Sequence, residues 1–171
     1  GMALDRTTGK TKWESGTAAA GYASPVPFQL GGRSCVALFV AKALVGLNTA
    51  DGKELWRFPW ETKYDVNAAD PVGVPGDRMF ISSGYDRGCA LLKVGLDQVN
   101  KVWENKEIAS HFSGIKVWKG CLYGVSGNTG GGNLKCLDIE TGTEKWSKPY
   151  GFGSFTMADG RQVEYEVGFV S

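Results

Sequence analysis

The sequence has few of the residues that catalytic and metal sites most often use. It contains one histidine, His111, and four cysteines, with no Cys-x-x-Cys pair and no cysteine near the histidine. Zinc sites need closely paired ligands, and a Ser-His-Asp triad needs a histidine held between two partners. We therefore expect Cys35, Cys89, Cys121 and Cys136 to be small buried hydrophobes, with Cys121 and Cys136 as the one pair worth testing for a disulfide.

Neither sign of charge is in surplus. The chain has 19 Lys and Arg against 18 Asp and Glu, a net charge of +1, which indicates neither a nucleic-acid-binding surface nor an acidic tail. No stretch approaches the roughly 20 apolar residues of a membrane-spanning helix. The most apolar window, residues 35–47, is short and carries Lys42. The residues present include no signal peptide, so composition does not indicate a compartment.

Short strands and tight turns are what the sequence does provide. It has 25 glycines and 12% aromatic residues, and its apolar segments are short and bounded by Gly, Asp or Asn. Such segments are typical of strands, and residues 33–40, 78–84 and 121–127 are examples. The 3.6-residue apolar stripe of an amphipathic helix is missing.

One phrase of about ten residues occurs four times. It reads ALDRTTGKTKW (3–13), LNTADGKELW (47–56), VGLDQVNKVW (94–103) and CLDIETGTEKW (136–146). The tryptophans that end the copies, Trp13, Trp56, Trp103 and Trp146, follow one another at intervals of 43, 47 and 43 residues. A period in the forties is the size of a four-stranded propeller blade. We expect each of these tryptophans to lie on an outermost strand and to pack over the neighbouring blade.

The phrase also predicts a tight turn between two strands. Asp5 and Asp138 can accept hydrogen bonds from backbone N–H groups two residues further on, and Gly9, Gly52 and Gly142 can supply a position with positive φ. The copy at 94–103 lacks the Thr-Gly step. The units so defined predict whole blades at about 15–60, 61–107 and 108–150, and one blade split between residues 1–14 and 153–170.

The three better copies resemble the repeat of pyrroloquinoline-quinone-like (PQQ-like) β-propellers, roughly Ala-Leu-Asp-x-x-Thr-Gly-x-x-x-Trp. The resemblance covers nearly the whole chain and implies an all-β propeller of four-stranded antiparallel blades, with four blades per chain. Family members are typically eight-bladed, so two chains would form one ring as a homodimer, an outcome we favour over closure within one chain. A fragment of a longer propeller, with no independent function, is a further alternative.

The resemblance does not imply an enzyme. Quinoprotein dehydrogenases with this repeat carry an adjacent Cys-Cys pair, a catalytic Asp and calcium ligands. This sequence has no adjacent cysteines, and the other parts match no residue here, so PQQ and calcium lack matching ligands. We therefore favour a non-enzymatic scaffold that binds a protein or peptide partner, over a domain or remnant of a PQQ-dependent dehydrogenase. Family members known only by this repeat are periplasmic or secreted proteins, so the resemblance implies a periplasmic or secreted location for this chain.

The four strands of a blade are labelled A to D in chain order, with A innermost and D outermost. A propeller places its D-to-A and B-to-C loops on one face, where the binding rim is expected. Loop residues with polar or aromatic side chains give the candidates: Tyr22, Tyr64, Asp65, Asn67, His111, Asp86, Arg87 and Asn128, with Tyr85 and Phe152 beside them. We expect His111 to be a hydrogen-bonded rim residue and Trp60 to offer an exposed contact. The carboxylates Asp65, Asp70 and Asp86 do not have EF-hand spacing, and the run at 127–133 lacks the Gly-Lys-Ser/Thr of a phosphate loop.

Overall fold

The computed structural model describes residues 1–128, 131–151, 153–158 and 161–166, the last range by its backbone alone. Every regular element in these residues is a strand, and none of them belongs to a helix that could span a bilayer. The strands are β1 (Met2–Leu4), β2 (Thr11–Glu14), β3 (Val26–Leu30), β4 (Arg33–Val40), β5 (Ala43–Asn48), β6 (Glu54–Pro59), β7 (Val72–Val74), β8 (Arg78–Ser83), β9 (Gly88–Val94), β10 (Val99–Asn105), β11 (Lys116–Trp118), β12 (Cys121–Asn128), β13 (Gly131–Asp138), β14 (Glu144–Tyr150), β15 (Gly153–Ala158) and β16 (Arg161–Glu166).

Twelve of these strands form three four-stranded antiparallel sheets. The first sheet has the order β3-β4-β5-β6, the second β7-β8-β9-β10 and the third β11-β12-β13-β14, so each strand pairs with its neighbours in sequence. Each sheet therefore consists of the A, B, C and D strands of one unit. This is the all-β, four-stranded-blade architecture of a β-propeller, as the repeat predicts.

The two ends of the chain form two-stranded sheets. β1 pairs with β2 in the N-terminal hairpin, and β15 pairs with β16 in the C-terminal hairpin. Two strands are present in the C-terminal segment that was predicted to supply part of the split blade. Residues 159–160 and 167–171, and also Phe152, lie outside the described residues. Within the described chain the two hairpins are separate sheets, and their union in one split blade stays a prediction.

The hydrophobic core is divided among the interfaces between successive sheets. One cluster joins the first and second sheets, where Phe39 and Trp56 pack with Ile81 and Leu92. Another joins the second and third sheets through Phe80, Leu91, Leu122 and Leu137, and smaller clusters attach each terminal hairpin. The four cysteines lie buried as free thiols, as predicted, and Cys121 is not joined to Cys136. Burial is also the main reason that the pKa of Cys89 is raised, to about 12.

The repeated phrase forms the turn that its residues predict. Asp138 Oδ1 accepts the N–H groups of Glu140 and Thr141, and the Gly142 N–H donates to the Asp138 carbonyl at 2.8 Å. Asp5 makes the corresponding bonds to Thr7, Thr8 and Gly9. Gly9, Gly52 and Gly142 have φ of 68°, 72° and 72°, which confirms the positive-φ prediction.

An irregularity in pairing, which the sequence did not reveal, sets the position of each tryptophan. In all four C–D strand pairs the register shifts by one residue at the tryptophan. The residue skipped is the one just before it: Lys12, Leu55, Val102 or Lys145. A bulge of this kind bends the strand and redirects a side chain. It sets each tryptophan at the same place on its outer strand.

Two of the tryptophans dock on the turn of the next sheet in the same way. Trp13 Nε1 donates to the Thr49 carbonyl at 2.9 Å, and Trp103 Nε1 donates to the Ile139 carbonyl at 3.0 Å. A Cβ added to Gly52 would lie 2.5 Å from the Trp13 ring, and one added to Gly142 would lie 2.9 Å from the Trp103 ring. Each indole therefore lies against a glycine that no other residue could replace without a clash.

Trp56 is the exception, because the turn it faces is the degenerate copy. In the second sheet β9 and β10 stay paired as far as Val94 and Val99, so the chain turns at Gly95–Gln98 instead. Trp56 is buried at 4% exposure, and its Nε1 has no hydrogen-bond partner among the described residues. A buried donor without a partner destabilises the fold. Trp13 and Trp103 avoid this cost because their Nε1 groups are hydrogen-bonded.

Replacing docking tryptophans by phenylalanine tests this difference. Trp103→Phe removes a satisfied hydrogen bond at a partly buried site, whereas Trp56→Phe removes an unsatisfied donor from a buried one. We expect Trp103→Phe to lower the free energy of unfolding by about 1 to 2 kcal/mol more than Trp56→Phe does. Urea denaturation of the two variants and the wild type measures it, and equal costs would contradict the docking geometry.

Candidate binding face

Four ring side chains from three loops meet in one row, which we call the aromatic cluster: Tyr64, Tyr85, His111 and Phe112. The ring centroids of Tyr64 and Tyr85 are 4.8 Å apart, those of Tyr85 and His111 4.7 Å, and those of His111 and Phe112 4.0 Å. Tyr64 follows the first sheet, Tyr85 joins β8 to β9, and the other two follow the second sheet. D-to-A and B-to-C loops thus come together on one face. Its outer members, Tyr64 and Phe112, are 58% and 55% exposed.

Tyr85 is held in the row by a turn with an uncommon backbone. Tyr85 and Asp86 have φ of 56° and 57°, and the Arg87 N–H donates to the Gly84 carbonyl. Positive φ at a bulky aromatic residue is costly and persists only where the surroundings impose it. Here Asn128 imposes it, since its Oδ1 accepts the Tyr85 N–H at 3.1 Å. The B-to-C loop of the second sheet is thereby joined to the end of β12 in the third sheet.

Beneath the cluster lies a buried polar frame that corrects two predictions. Trp60 is fully buried rather than exposed, and its Nε1 donates to the hydroxyl of Ser83. Asn67 is also fully buried, so it does not belong to the exposed rim. Its amide donates to the Val40 and Ala41 carbonyls, and its Oδ1 accepts the Ser83 hydroxyl at 2.6 Å. These contacts fix the loop between the first and second sheets.

Arg87 packs against Trp60 of the same buried frame. Its guanidinium lies 3.5 Å from the Trp60 ring centroid, its Nε donates to the Glu61 carbonyl, and its Nη1 contacts Glu104 at 2.7 Å. Hydrogen bonds from Lys101 and then Arg87 lower the pKa of Glu104 below its usual value. Arg87 thus supports the face through stacking and ion pairing.

The other rim candidates make different contacts. Asp65 has φ of 56° and lies 3.8 Å from Lys42, and Asp86 is exposed. Tyr22 is 73% exposed, and its N–H donates to the Asn67 carbonyl. The structure brings Tyr64, Tyr85, His111 and Asn128 together. Tyr22, Asp65 and Asp86 are exposed side chains. Sequence reasoning missed Phe112, whose only signal was its place beside the single histidine.

His111 is the chemically distinctive member of the cluster. It is 7% exposed, and neither ring nitrogen has a hydrogen-bond partner in the described chain, contrary to the predicted hydrogen-bonded histidine. Burial lowers its pKa from the usual 6.5, so the imidazole is neutral at neutral pH. The loop around it is well fixed, since the Ser110 hydroxyl donates to the Ser113 carbonyl and the Ser110 N–H donates to Ser82 Oγ.

A neutral imidazole carries one N–H donor and one acceptor nitrogen. Both are left unsatisfied here, between two aromatic rings, and each is a preformed position for one hydrogen bond. Among the residues that the structure describes, no three His, Cys, Asp or Glu side chains are grouped so that they could hold a metal ion. The described side chains of this face offer hydrogen bonds and ring stacking.

The single histidine permits a direct test by NMR. We expect the His111 imidazole to titrate below 6.5, because burial disfavours its charged form. The unfolded chain then binds the proton more readily, so the free energy of unfolding should fall as the pH drops through 6.5 towards the folded pKa. His111→Phe should lose this component of the pH dependence. A folded-state pKa at or above 6.5 would contradict the burial described here.

Comparison with known proteins identifies a family model that matches most of this sequence. The model of the family described as outer membrane protein assembly factor BamB matches residues 1–148. No curated protein sequence matches the chain.

Solved structures with the same fold are similar to this chain at low identity. The quinohemoprotein alcohol dehydrogenase ADHIIG from Pseudomonas putida HK5 is 17% identical with a TM-score of 0.56, and the match covers 80% of this chain and 22% of that one. The quinohemoprotein alcohol dehydrogenase from Comamonas testosteroni is 16% identical, with a TM-score of 0.55 and coverage of 77% and 21%. The computationally designed Ika8 protein is 10% identical, with a TM-score of 0.57 and coverage of 94% and 48%. The chain thus spans less than a quarter of the dehydrogenases and about half of the designed protein, and these likenesses show the fold alone.

Proposed function

The chain belongs to the BamB family of PQQ-like β-propellers, and from that premise we propose that it is a non-enzymatic scaffold that binds an extended segment of a protein partner at the aromatic cluster. The observation that carries the proposal is His111, whose two ring nitrogens are buried without partners between Tyr85 and Phe112. A buried polar group without a partner destabilises the free protein, and a ligand that supplies the partner removes that cost.

A peptide backbone has the matching chemistry. Each residue of an extended chain offers one N–H donor and one carbonyl acceptor, and the neutral imidazole of His111 needs one of each. Phe112 covers the imidazole and is itself 55% exposed, so its side chain can turn aside as a peptide approaches. The displaced ring and Tyr64 then contact the side chains of the peptide, as aromatic residues do in grooves that bind extended segments.

The family description supports a protein as the partner. An outer membrane protein assembly factor acts on other polypeptides, and we propose the same kind of role for this chain. Charge supports it as well, because the net charge is +1 and Arg87 on this face is already paired with Glu104. The backbone of a nucleic acid would require several free cationic side chains at this position, and Lys63, whose Nζ lies 5.3 Å from the centroid of the Tyr64 ring, is a single cation.

The alternative, a domain or remnant of a PQQ-dependent dehydrogenase, has less support from the residues. By the resemblance, such enzymes use adjacent cysteines and calcium ligands. Here the nearest cysteines in sequence, Cys121 and Cys136, are separate buried thiols, and the described residues offer no three-ligand metal group. The described residues therefore do not fit the quinone and calcium.

We also propose that two copies of the chain assemble into one closed ring. Three sheets of four strands and two hairpins of two strands in each chain support this assembly, because each hairpin has half the strands of a blade. The proposal is separate from the binding of a peptide, which involves the loops of the second and third sheets.

Selection of peptides on the purified protein tests the binding function. A random twelve-residue phage library would be panned on the wild type, and the best peptide would be measured by fluorescence anisotropy against His111→Phe. This variant keeps a ring of similar size but removes both nitrogens. We expect binding at least about tenfold weaker, corresponding to the loss of one or two hydrogen bonds, and stability equal to the wild type or higher.

Tyr22→Ala is the matched control, because it removes an exposed tyrosine outside the cluster and should bind the peptide as the wild type does. Failure to select any peptide, or equal binding by His111→Phe, would contradict the proposal. Titration with PQQ and calcium adds a check on the alternative function, since a tight stoichiometric complex would favour the dehydrogenase.

A further inference from the structure

Two of the four buried thiols lie side by side on one face of the third sheet. Cys136 on β13 is directly opposite Tyr123 on β12, and Cys121 lies two residues before Tyr123 on the same strand. Side chains two residues apart on a strand share a face, so the two cysteines are diagonal neighbours. The Cys136 thiol is within hydrogen-bonding reach of the Cys121 thiol and of the Tyr123 side chain. The two sulfurs can therefore meet after a small local movement.

The backbone ladder also keeps these side chains close. The Ile139 N–H donates to the Gly120 carbonyl at 3.1 Å, so Cys121 and Asp138 form a non-hydrogen-bonded pair. The pair that contains Cys136 is two residues along the ladder and is of the same type. Side chains approach more closely at such pairs. Diagonal neighbours have Cα atoms about 7 to 8 Å apart, whereas most disulfides need about 4.4 to 6.8 Å. A bond here would thus be strained and easily reduced.

A lysine completes the site at Cys121. Lys145 Nζ donates to Cys121 Sγ at 3.5 Å and forms an ion pair with Asp138 at 3.0 Å. Hydrogen bonds to Asp138 and then to Cys121 raise the pKa of Lys145, so the amine keeps its proton at neutral pH. Lys145 is the residue that the β13–β14 register skips, and a bulge of this kind redirects a side chain. An ammonium beside a sulfur stabilises the negative charge of an attacking thiolate.

The first sheet has a cysteine at the same place without these partners. Cys35 and Cys121 are each opposite the residue that opens the turn of the repeated phrase. In the first sheet, however, Gly46 takes the place of the second cysteine, and Leu55 takes the place of the lysine. Cys35 is therefore a natural control for the third sheet, with the same backbone setting but neither a second thiol nor an ammonium.

We propose that Cys121 and Cys136 are a reversible redox site, oxidised to a disulfide by a small-molecule disulfide such as oxidised glutathione. Cys121 meets the oxidant first, because it is 8% exposed and Cys136 only 2%. The Cys121 thiolate attacks one sulfur of the oxidant, and the other sulfur leaves and takes up the proton that Cys121 has lost.

Cys136 carries out the second step. Its sulfur attacks the Cys121 sulfur of the mixed disulfide, and the second half of the oxidant leaves with the Cys136 proton. Two protein thiols are thus oxidised while one small disulfide is reduced to two thiols. Burial is the main reason that the pKa of Cys136 is raised, to about 11, so this thiol stays protonated at neutral pH and the second step should accelerate as the pH rises.

Counting thiols after exposure of the folded protein to glutathione tests the proposal. The protein would be equilibrated with mixtures of oxidised and reduced glutathione, quenched with acid, alkylated in denaturant and weighed by mass spectrometry. We expect two of the four free thiols to be lost, a digest to contain one peptide that joins Cys121 to Cys136, and excess reduced glutathione to restore both. Retention of all four thiols, or a bond between any other pair, would overturn the proposal.

Three cysteine variants separate the two steps. Cys136→Ser should stop at a mixed disulfide on Cys121, and Cys121→Ser should slow the reaction with the oxidant at least about tenfold, because the remaining thiol is buried. Cys35→Ser is the matched control and should form the bond as the wild type does. A wild type that also stops at the mixed disulfide would refute the pairing, as would a Cys121→Ser protein that reacts as fast as the wild type. Circular dichroism checks that each variant keeps its strands.

The part assigned to Lys145 is tested in the Cys136→Ser background, where only the first step occurs. Lys145→Gln removes the charge and Lys145→Arg keeps it. We expect the glutamine variant to form the mixed disulfide several-fold more slowly, and the arginine variant to react at nearly the rate of its parent. Equal rates for glutamine and arginine would show that the ammonium does not assist the thiolate, which would contradict this part of the site.

Discussion

The contact between an indole and the glycine turn of the next sheet is the interaction on which this architecture depends. The glycine meets two requirements at once, because the turn needs positive φ and the indole needs the space that a Cβ would occupy. The hydrogen bond from Nε1 then fixes how far one sheet rotates relative to the next. A bulge before each tryptophan directs its ring towards the neighbouring sheet. The phrase is repeated because each unit must present both the donor and the receptor.

The proposed binding face is a consequence of this stacking. Once successive sheets are held at one angle, their D-to-A and B-to-C loops converge, and side chains from three loops can form one row of rings. The buried frame of Trp60, Ser83 and Asn67 prevents the loops from relaxing. The strained backbone at Tyr85 and the unsatisfied His111 are therefore maintained by the rigid sheets beneath them. Local strain and unmet hydrogen bonds on a rigid support are typical of surfaces that bind a partner.

The sequence predicts the fold well because the fold is encoded locally. Turn chemistry at Asp138 and Gly142, strand-length apolar segments and the tryptophan period are all visible within a few residues. The burial of Trp60 and Asn67 could not be predicted in this way, since it depends on Ser83, which lies 23 residues after Trp60 and 16 after Asn67. His111 shows the same limit: the sequence placed it on the rim, but only tertiary packing removes its hydrogen-bond partners. The two additional residue pairs between β9 and β10 were not predicted either, although the copy at 94–103 lacks the Thr-Gly step.

Repair of the degenerate turn is the most direct test of the docking contact. Replacing residues 93–100 by Asp-Ile-Glu-Thr-Gly-Thr, the sequence of residues 138–143, would give Trp56 the receptor that Trp103 already has. The free energy of unfolding would be measured for the repaired chain, for Trp56→Phe and for the two changes combined. We expect repair to increase the cost of Trp56→Phe by about 1 kcal/mol, the contribution of one buried hydrogen bond. If that cost is the same with and without the repaired turn, the indole does not act through the turn and the account of how the sheets are held together is wrong.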